Sequence, residues 1–220
     1  MWLKRIVELG KAIFMSSYIN FNIIIGLHIA QDVARSKNRV YIVYKTDLPS
    51  TMLDFLDHNV AKYVHVVKRL DDIDLLQTKP IIIAMLNTAD IDLFNAVINK
   101  VHNFYIFTPR FSLPKEKFDY PIYRVQKIKE GLFIVYKDTN EKYLIKVFGN
   151  NLEEISIPNE VVNICNELKE LVVTFGSVKA SNFVKYCSRK YGYSREECIE
   201  LLRQAISLKL IKYVSGYLYP

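Results

Sequence analysis

Hydrophobic and polar positions follow two alternating patterns along the first half of the chain. Short apolar runs predict strands, and segments with apolar positions three and four residues apart predict helices. The predicted strands are 11–17, 39–46, 63–68, 80–86 and 104–108, and the predicted helices are 22–35, 49–58 and 91–102. This alternation is typical of an α/β domain with a mostly parallel, doubly wound sheet.

The hydrophobic period changes to two after Pro121. Segments 122–128, 132–137 and 143–148 alternate apolar and polar residues, and they are separated by Glu130-Gly131 and Asp138-Thr139-Asn140. Turn residues between alternating runs predict antiparallel hairpins. We therefore expect the first domain, residues 1–157, to end in terminal hairpins at one edge of its sheet.

The remaining segment, 158–220, predicts three helices followed by a hairpin. The first helix starts at Pro158 and ends at Gly176, and the second covers 179–191 and stops at Gly192. Ser194 and Glu197 have the spacing of a capping box, which predicts the start of the third helix. Segments 210–214 and 217–219 flank Ser215-Gly216 and predict the hairpin. We expect this segment to form a small second domain.

Composition and charge indicate a folded protein without a membrane span and favour a polyanionic partner. Half of the 220 residues are hydrophobic and 24% are charged, which is typical of a folded protein. The longest apolar runs, 23–30 and 81–86, are too short to cross a bilayer, and no signal peptide is recognisable, so we expect a cytoplasmic protein without a membrane partner. A net charge of +7 favours a polyanionic partner such as nucleic acid.

Residues 27–34, LHIAQDVA, and the strand after them resemble a known family. They are similar to the helix and strand that follow the phosphate loop in the RecA-like ATPase domain of archaeal RadA paralogs and KaiC-like proteins, and the resemblance covers about residues 7–157. Its register places the family motif G-x-x-x-x-G-K-S/T on residues 16–23. Phe21 then replaces the second glycine, Asn22 the lysine and Ile23 the hydroxyl residue.

These replacements remove the chemistry of the phosphate loop. Glycines bring backbone N–H groups to the phosphates, the lysine neutralises their charge, and the hydroxyl holds magnesium. The acid that would orient magnesium is also missing from the apolar run 81–85, and Asp47, where the family often has a catalytic glutamate, is interpreted as a helix cap. The resemblance therefore implies an ATPase-like scaffold with no cofactor and no enzymatic activity.

The C-terminal segment resembles a winged helix-turn-helix domain, whose third helix enters the major groove of DNA. The resemblance implies base-facing, phosphate-facing and wing positions. The base-facing candidates are Arg195, Arg203, Gln204 and Ser207; the phosphate-facing candidates are Lys179, Lys185, Arg189 and Lys190; Lys209, Lys212 and Tyr217 lie near the wing. Glu196, Glu197 and Glu200 put negative charge on the same third helix, so docking of a protein stays open as an alternative.

Other chemistry-bearing residues indicate no metal site. The four histidines are scattered, and His28 is interpreted as a satisfied core residue. Cys165, Cys187 and Cys198 are interpreted as buried apolar residues, and the acidic segment 71–74 as a helix start.

Together these patterns predict a non-catalytic DNA-binding adaptor or regulator, serving recombination, repair or transcription. The alternative is a structural subunit of a larger assembly, in which the C-terminal domain docks protein. A protein partner or a homo-oligomer could form through the RecA-like domain. An enzymatic role is the least favoured.

Overall fold

A computed structural model describes residues 2–45, 54–75, 80–109, 119–137 and 141–220. The chain divides into two compact units, Met1–Glu154 and Ile155–Pro220. Asp47, the predicted turn at 138–140 and the first part of the predicted helix 49–58 lie outside the described residues. Within the described ranges, no helix is both long enough and apolar enough to span a bilayer.

The N-terminal unit is an α/β fold built on a mostly parallel sheet with nine described strands. The strands are β1 (Lys11–Met15), β2 (Val40–Tyr44), β3 (Val64–Val67), β4 (Ile81–Met85), β5 (Asn103–Thr108), β6 (Ile122–Lys129), β7 (Leu132–Tyr136), β8 (Lys142–Phe148) and β9 (Asn151–Ile155). Their spatial order is β3-β2-β4-β5-β1-β6-β7-β8-β9. The pairs from β3 to β6 are parallel, whereas β6, β7 and β8 pair antiparallel.

Helices cover both faces of the parallel part of the sheet. They are α1 (Trp2–Leu9), α2 (Ile19–Ala34), α3 (His58–Ala61), α4 (Ile91–Lys100) and a 3-10 turn at Leu70–Asp72. Because side chains alternate along a strand, Phe14 of β1 packs in the core beside α1 and α2, and the adjacent Ile13 packs in the core beside α4. The buried strands are therefore apolar on both sides, as parallel strands usually are.

Helix α2 lies very close to the sheet. A Cβ atom added to Gly26 would come within 2.6 Å of the terminal methyl carbon of Met85. Eleven residues of α2 are buried, so the helix has little polar surface. This packing determines what surrounds the start of α2, at the carboxyl end of β1.

Two elements of this unit were not predicted, namely α1 and β9. Strand β9 has the sequence NLEEI, and two acidic residues in five hide the apolar signal. Between residues 54 and 61 the described helix begins only at His58, where the predicted helix ended. The other predicted strands and helices are confirmed to within a few residues at their ends.

The C-terminal unit contains three helices and a three-stranded antiparallel sheet. The elements are α5 (Asn159–Phe175), β10 (Val178–Lys179), α6 (Ala180–Tyr191), α7 (Arg195–Ser207), β11 (Lys212–Val214) and β12 (Tyr217–Tyr219), and the sheet order is β10-β12-β11. Helix α6 ends at Gly192, whose φ of 73° suits a left-handed C-cap. Strand β10 was not predicted, because its two residues leave no period to detect.

Candidate functional site

Helix α7 presents the charged face of the C-terminal unit, and its start is well defined. The Ser194 hydroxyl accepts from the Glu197 N–H at 3.1 Å, and the Glu197 carboxylate accepts from the Ser194 N–H at 2.7 Å, which completes the predicted capping box. Hydrogen bonds to the Glu197 carboxylate, first from the Ser194 backbone N–H and then from the Ser194 side chain, hold the pKa of Glu197 below its usual value. The Glu197 charge is therefore engaged at the helix end.

The buried side of α7 carries Cys198, Leu202 and Ala205. This burial fixes the rotation of the helix, so Arg195 and Arg203, eight positions apart, emerge on the side that stays exposed. Lys185 and Arg189 have an i,i+4 spacing on α6 and are also exposed.

These four cations line one groove of about 1030 Å³. The groove lies between α6, α7 and the hairpin of β11 and β12, and its floor is apolar. The apolar and aromatic lining residues are Ala180, Val184, Ile199, Leu202, Ile206, Tyr213 and Leu218. None of the described residues that line it is acidic. The groove therefore combines a local excess of positive charge with a hydrophobic base.

The acidic residues that weighed against a nucleic-acid interface lie outside this groove lining. Glu200 comes within 3.7 Å of Arg203, but both side chains are mostly exposed, so the pair is weak. The Arg203 guanidinium can leave it for a stronger anion at little cost.

Lys190, a predicted phosphate contact, is bound to a buried carboxylate instead of lining the groove. Glu167 on α5 is 9% exposed and forms an ion pair with Lys190, and it accepts from the hydroxyls of Tyr186 and Tyr191, each at 2.8 Å. Burial alone would raise the pKa of Glu167, but hydrogen bonds from Lys190 and both tyrosines outweigh it and lower the pKa. Lys190 thus helps to hold α6 against α5.

The other predicted residues do not line the groove. The Lys179 ammonium lies 5.9 Å above the ring of Tyr217 on the neighbouring strand. The Ser207 hydroxyl donates to the backbone carbonyl of Gln204 at 2.8 Å, so it already has a partner. Gln204 and Tyr217 are half-buried, whereas Lys209 and Lys212 are exposed between α7 and the end of β11. The structure therefore gathers four of the eleven predicted residues into one groove.

Tyr213 is a groove residue that the sequence reasoning missed. It is 55% exposed and lines the groove from β11. It is paired with buried Leu218 on β12, so the two side chains lie on the same face of the hairpin. The alternating pattern of 210–214 could have indicated its direction, but only if the position of the hairpin relative to α7 were known.

In the N-terminal unit, the positions aligned with the phosphate loop lie where β1 ends and α2 begins. Phe21 is buried against the ring of Phe133 on β7, with centroids 4.6 Å apart, and Ile23 is also buried. Asn22 is 8% exposed and donates from its Nδ2 to the Ser16 carbonyl at 3.3 Å. All three replacing side chains are therefore built into the unit.

A cavity of about 240 Å³ lies beside Asn22, at the carboxyl ends of β2 and β4. Its charged groups are Lys45 and Asp90, which form an ion pair with each other. The second oxygen of Asp90 accepts from the Asn87 N–H at 2.9 Å. The Asn22 Oδ1 is buried and has no hydrogen-bond partner among the residues that the structure describes.

The remaining candidates have ordinary surroundings. His28 is half-buried, its Nε2 lies 3.1 Å from the Asn150 carbonyl oxygen, and burial lowers its pKa. Cys187 and Cys198 are buried as predicted, whereas Cys165 is only half-buried, and burial raises the pKa of the Cys187 thiol to about 12. In the part of the chain that the structure describes, no three His, Cys, Asp or Glu side chains come close enough together to hold a metal ion.

No protein-family model matches this chain, and no curated protein matches it by sequence.

Proposed function

We propose that this protein is a non-catalytic DNA-binding adaptor or regulator, and that the groove of its C-terminal unit holds the DNA backbone. The observation that carries the proposal is the clustering of Lys185, Arg189, Arg195 and Arg203 in a groove without a described carboxylate. Cations gathered on one surface supply much of the affinity of a DNA interface through release of counterions.

The order of elements supports a winged helix-turn-helix domain. A helix, a short strand, two further helices and a hairpin follow one another, and β10 pairs with β12 of the hairpin. In that arrangement α7 is the helix that would enter the major groove. Arg203 and Arg195 on its exposed face would then be in reach of bases or phosphates, and the Lys185 and Arg189 pair of α6 would contact the backbone.

The N-terminal unit is proposed to be a RecA-like scaffold that has lost its ATPase chemistry. Two observations support this proposal: β1 lies inside a parallel sheet and leads directly into α2, and the side chains at the phosphate-loop positions are bulky and uncharged. A triphosphate needs backbone N–H groups and a free lysine at this point. Asn22 stands at the lysine position, and the bulky Phe21 side chain stands where glycine would let the backbone close on the phosphates, so we expect no retention of magnesium-ATP.

Fluorescence anisotropy on a labelled 20-base-pair duplex tests the groove. The variant Lys185→Ala/Arg203→Ala removes two groove cations, and Lys4→Ala/Lys129→Ala removes two exposed cations of the N-terminal unit as a charge-matched control. If both groove cations contact phosphate, the slope of log K against log salt should become shallower by about 1.8 in the groove variant. The control should keep the wild-type slope.

The proposal is abandoned if the wild-type protein does not bind duplex at low salt, or if binding is insensitive to salt. Equal losses of duplex affinity in the groove and control variants would mean that only the net charge of the protein determines binding. Comparison of duplex, single-stranded and branched DNA in the same assay then defines the preferred structure.

A protein-docking role for the C-terminal unit is a second candidate, and a different observation favours it. Val173 and Phe175, at the end of α5, are 88% and 69% exposed, which is unusual for large apolar side chains. As a subunit of a larger assembly, the protein should co-purify from its source cell in a stable complex. The variant Val173→Ser/Phe175→Ser should dissociate that complex and leave DNA binding unchanged.

A further inference from the structure

Tyr213 is an aromatic side chain in the wall of the C-terminal groove. It is 55% exposed, and among the described residues no hydrogen bond or ring contact engages its side chain. Tyr217 on the adjacent strand differs, because the Lys179 ammonium lies over its ring. The Tyr213 ring therefore has open surface on which a second planar group can stack.

The floor of the groove is better suited to apolar surface than to phosphate. Val184, Leu202 and Leu218 are buried there, and Ile199 and Ile206 are half-buried. Hydrocarbon side chains offer a phosphate no hydrogen bond, and placing a charged group against them without one costs free energy. Phosphates therefore fit the exposed cations of the groove, and the apolar floor requires a different part of the ligand.

Nucleic acid carries both parts, namely a charged backbone and planar bases with apolar faces. In a duplex the base faces are covered by stacked neighbours, so a duplex presents only base edges and its backbone. An unpaired base can turn its face toward an aromatic ring, and every base has such a face. The groove volume of about 1030 Å³ is at the upper end of the range for ligand sites, which leaves room for a nucleotide.

We propose that this groove binds an unpaired nucleotide of DNA, whose base stacks on Tyr213 over the apolar floor while the flanking phosphates contact the groove cations. Those cations are Lys185, Arg189, Arg195 and Arg203. The inference rests on the proposed DNA-binding function and names its substrate, which is DNA in which a duplex meets a single strand. Stacking releases no counterions, so the contribution of Tyr213 should be insensitive to salt.

Two forms of one probe separate the bases from their phosphates. Each is the labelled 20-base-pair duplex, forked at one end into two short single strands. The fork is built either of thymidines or of the same number of abasic nucleotides, so the two probes carry equal charge. Fluorescence anisotropy with the full chain should show about tenfold tighter binding of the thymidine fork. This ratio should stay constant as salt rises, although both affinities fall.

Three variants locate the stacked base. Tyr213→Ala removes the ring and should bind the two forks with equal affinity, whereas Tyr213→Phe keeps the ring and should retain the preference. Tyr219→Ala is the control, because Tyr219 alternates with Leu218 along β12 and so lies on the opposite face of the hairpin. Tyr219 is 39% exposed, and its loss should leave the preference for thymidine unchanged.

Blunt duplex is measured beside the forks, so that failure of this inference can be told from failure of the proposed function. Salt-dependent binding of blunt duplex with equal affinity for the two forks would overturn the stacked base alone, and would leave the apolar floor to a protein segment. A thymidine preference that persists in Tyr213→Ala, disappears in Tyr213→Phe or disappears in Tyr219→Ala would also overturn it. No binding of any probe at low salt would remove both proposals.

Discussion

The buried carboxylate of Glu167 gives the sharpest test of how the C-terminal unit is held together. It joins α5 to α6 through the hydroxyls of Tyr186 and Tyr191 and through Lys190. The variant Glu167→Ala removes the acceptor of both hydroxyls and leaves them partly buried without a partner. Glu167→Gln keeps one oxygen acceptor but loses the charge.

The size of the effect follows from the two tyrosine bonds. A hydrogen bond to a charged group contributes about 1.5 kcal/mol, and half-exposed hydroxyls lower this to about 1 kcal/mol each. We therefore expect Glu167→Ala to lower the free energy of unfolding by about 2 kcal/mol, and Glu167→Gln by about 1 kcal/mol. The contribution of Lys190 is left out of this sum, because its ammonium is exposed to solvent.

Urea unfolding followed with two probes checks this expectation. Trp2, the single tryptophan, is buried in the N-terminal unit and reports on that unit, whereas far-ultraviolet circular dichroism reports on all the helices. The dichroism transition should shift in Glu167→Ala, and the Trp2 transition should not. Glu170→Ala is the matched control: it removes an exposed carboxylate from the same helix and should change stability by less than about 0.5 kcal/mol.

The pH dependence gives an independent check with a definite sign. The pKa of Glu167 is lowered in the folded state, so its stabilising effect is complete above the ordinary value of 4.5 and is lost as the pH falls below it. Wild-type protein should lose this stability on acidification and Glu167→Gln should not. A Glu167→Ala variant as stable as Glu170→Ala, with the same acid profile, would refute the role of this network.

Three further changes have defined expectations. Gly131→Ala should destabilise the protein by about 3 kcal/mol or more in urea unfolding, because φ is +66° and the new Cβ would lie 2.6 Å from the Val147 carbonyl oxygen. Gly149→Ala, with φ of +55° and open space, should cost only about 1 kcal/mol, and equal losses would contradict the clash. Since burial lowers the pKa of His28, wild-type stability should decrease relative to His28→Gln as the pH falls through 6.5, and parallel pH profiles would exclude this effect. Ser194→Ala should reduce stability by about 1 kcal/mol in thermal unfolding, and no change would mean that the cap is not formed in solution.

Much of the fold could be predicted because the local sequence determines where many of its strands and helices begin and end. The apolar runs of β1, β4 and β5 and the apolar spacing in α2 are properties of the residues of each element, so periodicity reveals them. The capping box at Ser194 and the stop at Gly192 are also local, since each involves residues only a few positions apart. Strand β9 escaped prediction because its pairing with β8, and not its own composition, makes it a strand.

That residues 21–23 lack the glycine, lysine and hydroxyl side chain of a phosphate loop can also be read from the sequence, because it needs only the identities of Phe21, Asn22 and Ile23. The surroundings of these three side chains cannot be read from the sequence. The strands β1 and β2 end at the same edge of the sheet, and the segment after β4 begins there. Only this arrangement leaves the Oδ1 of Asn22 unpaired among the described residues and brings Lys45 to Asp90.

The same distinction applies to the groove. Sequence alone identified the cations of the C-terminal segment, but it could not separate Lys190, held by Glu167 across α5 and α6, from Lys185 and Arg189, which stay available. Residue type and helical spacing determine which side chains share a face of one helix. Which faces meet is decided by the packing of elements distant in the sequence, because apolar burial orients each helix as a whole and its charges follow.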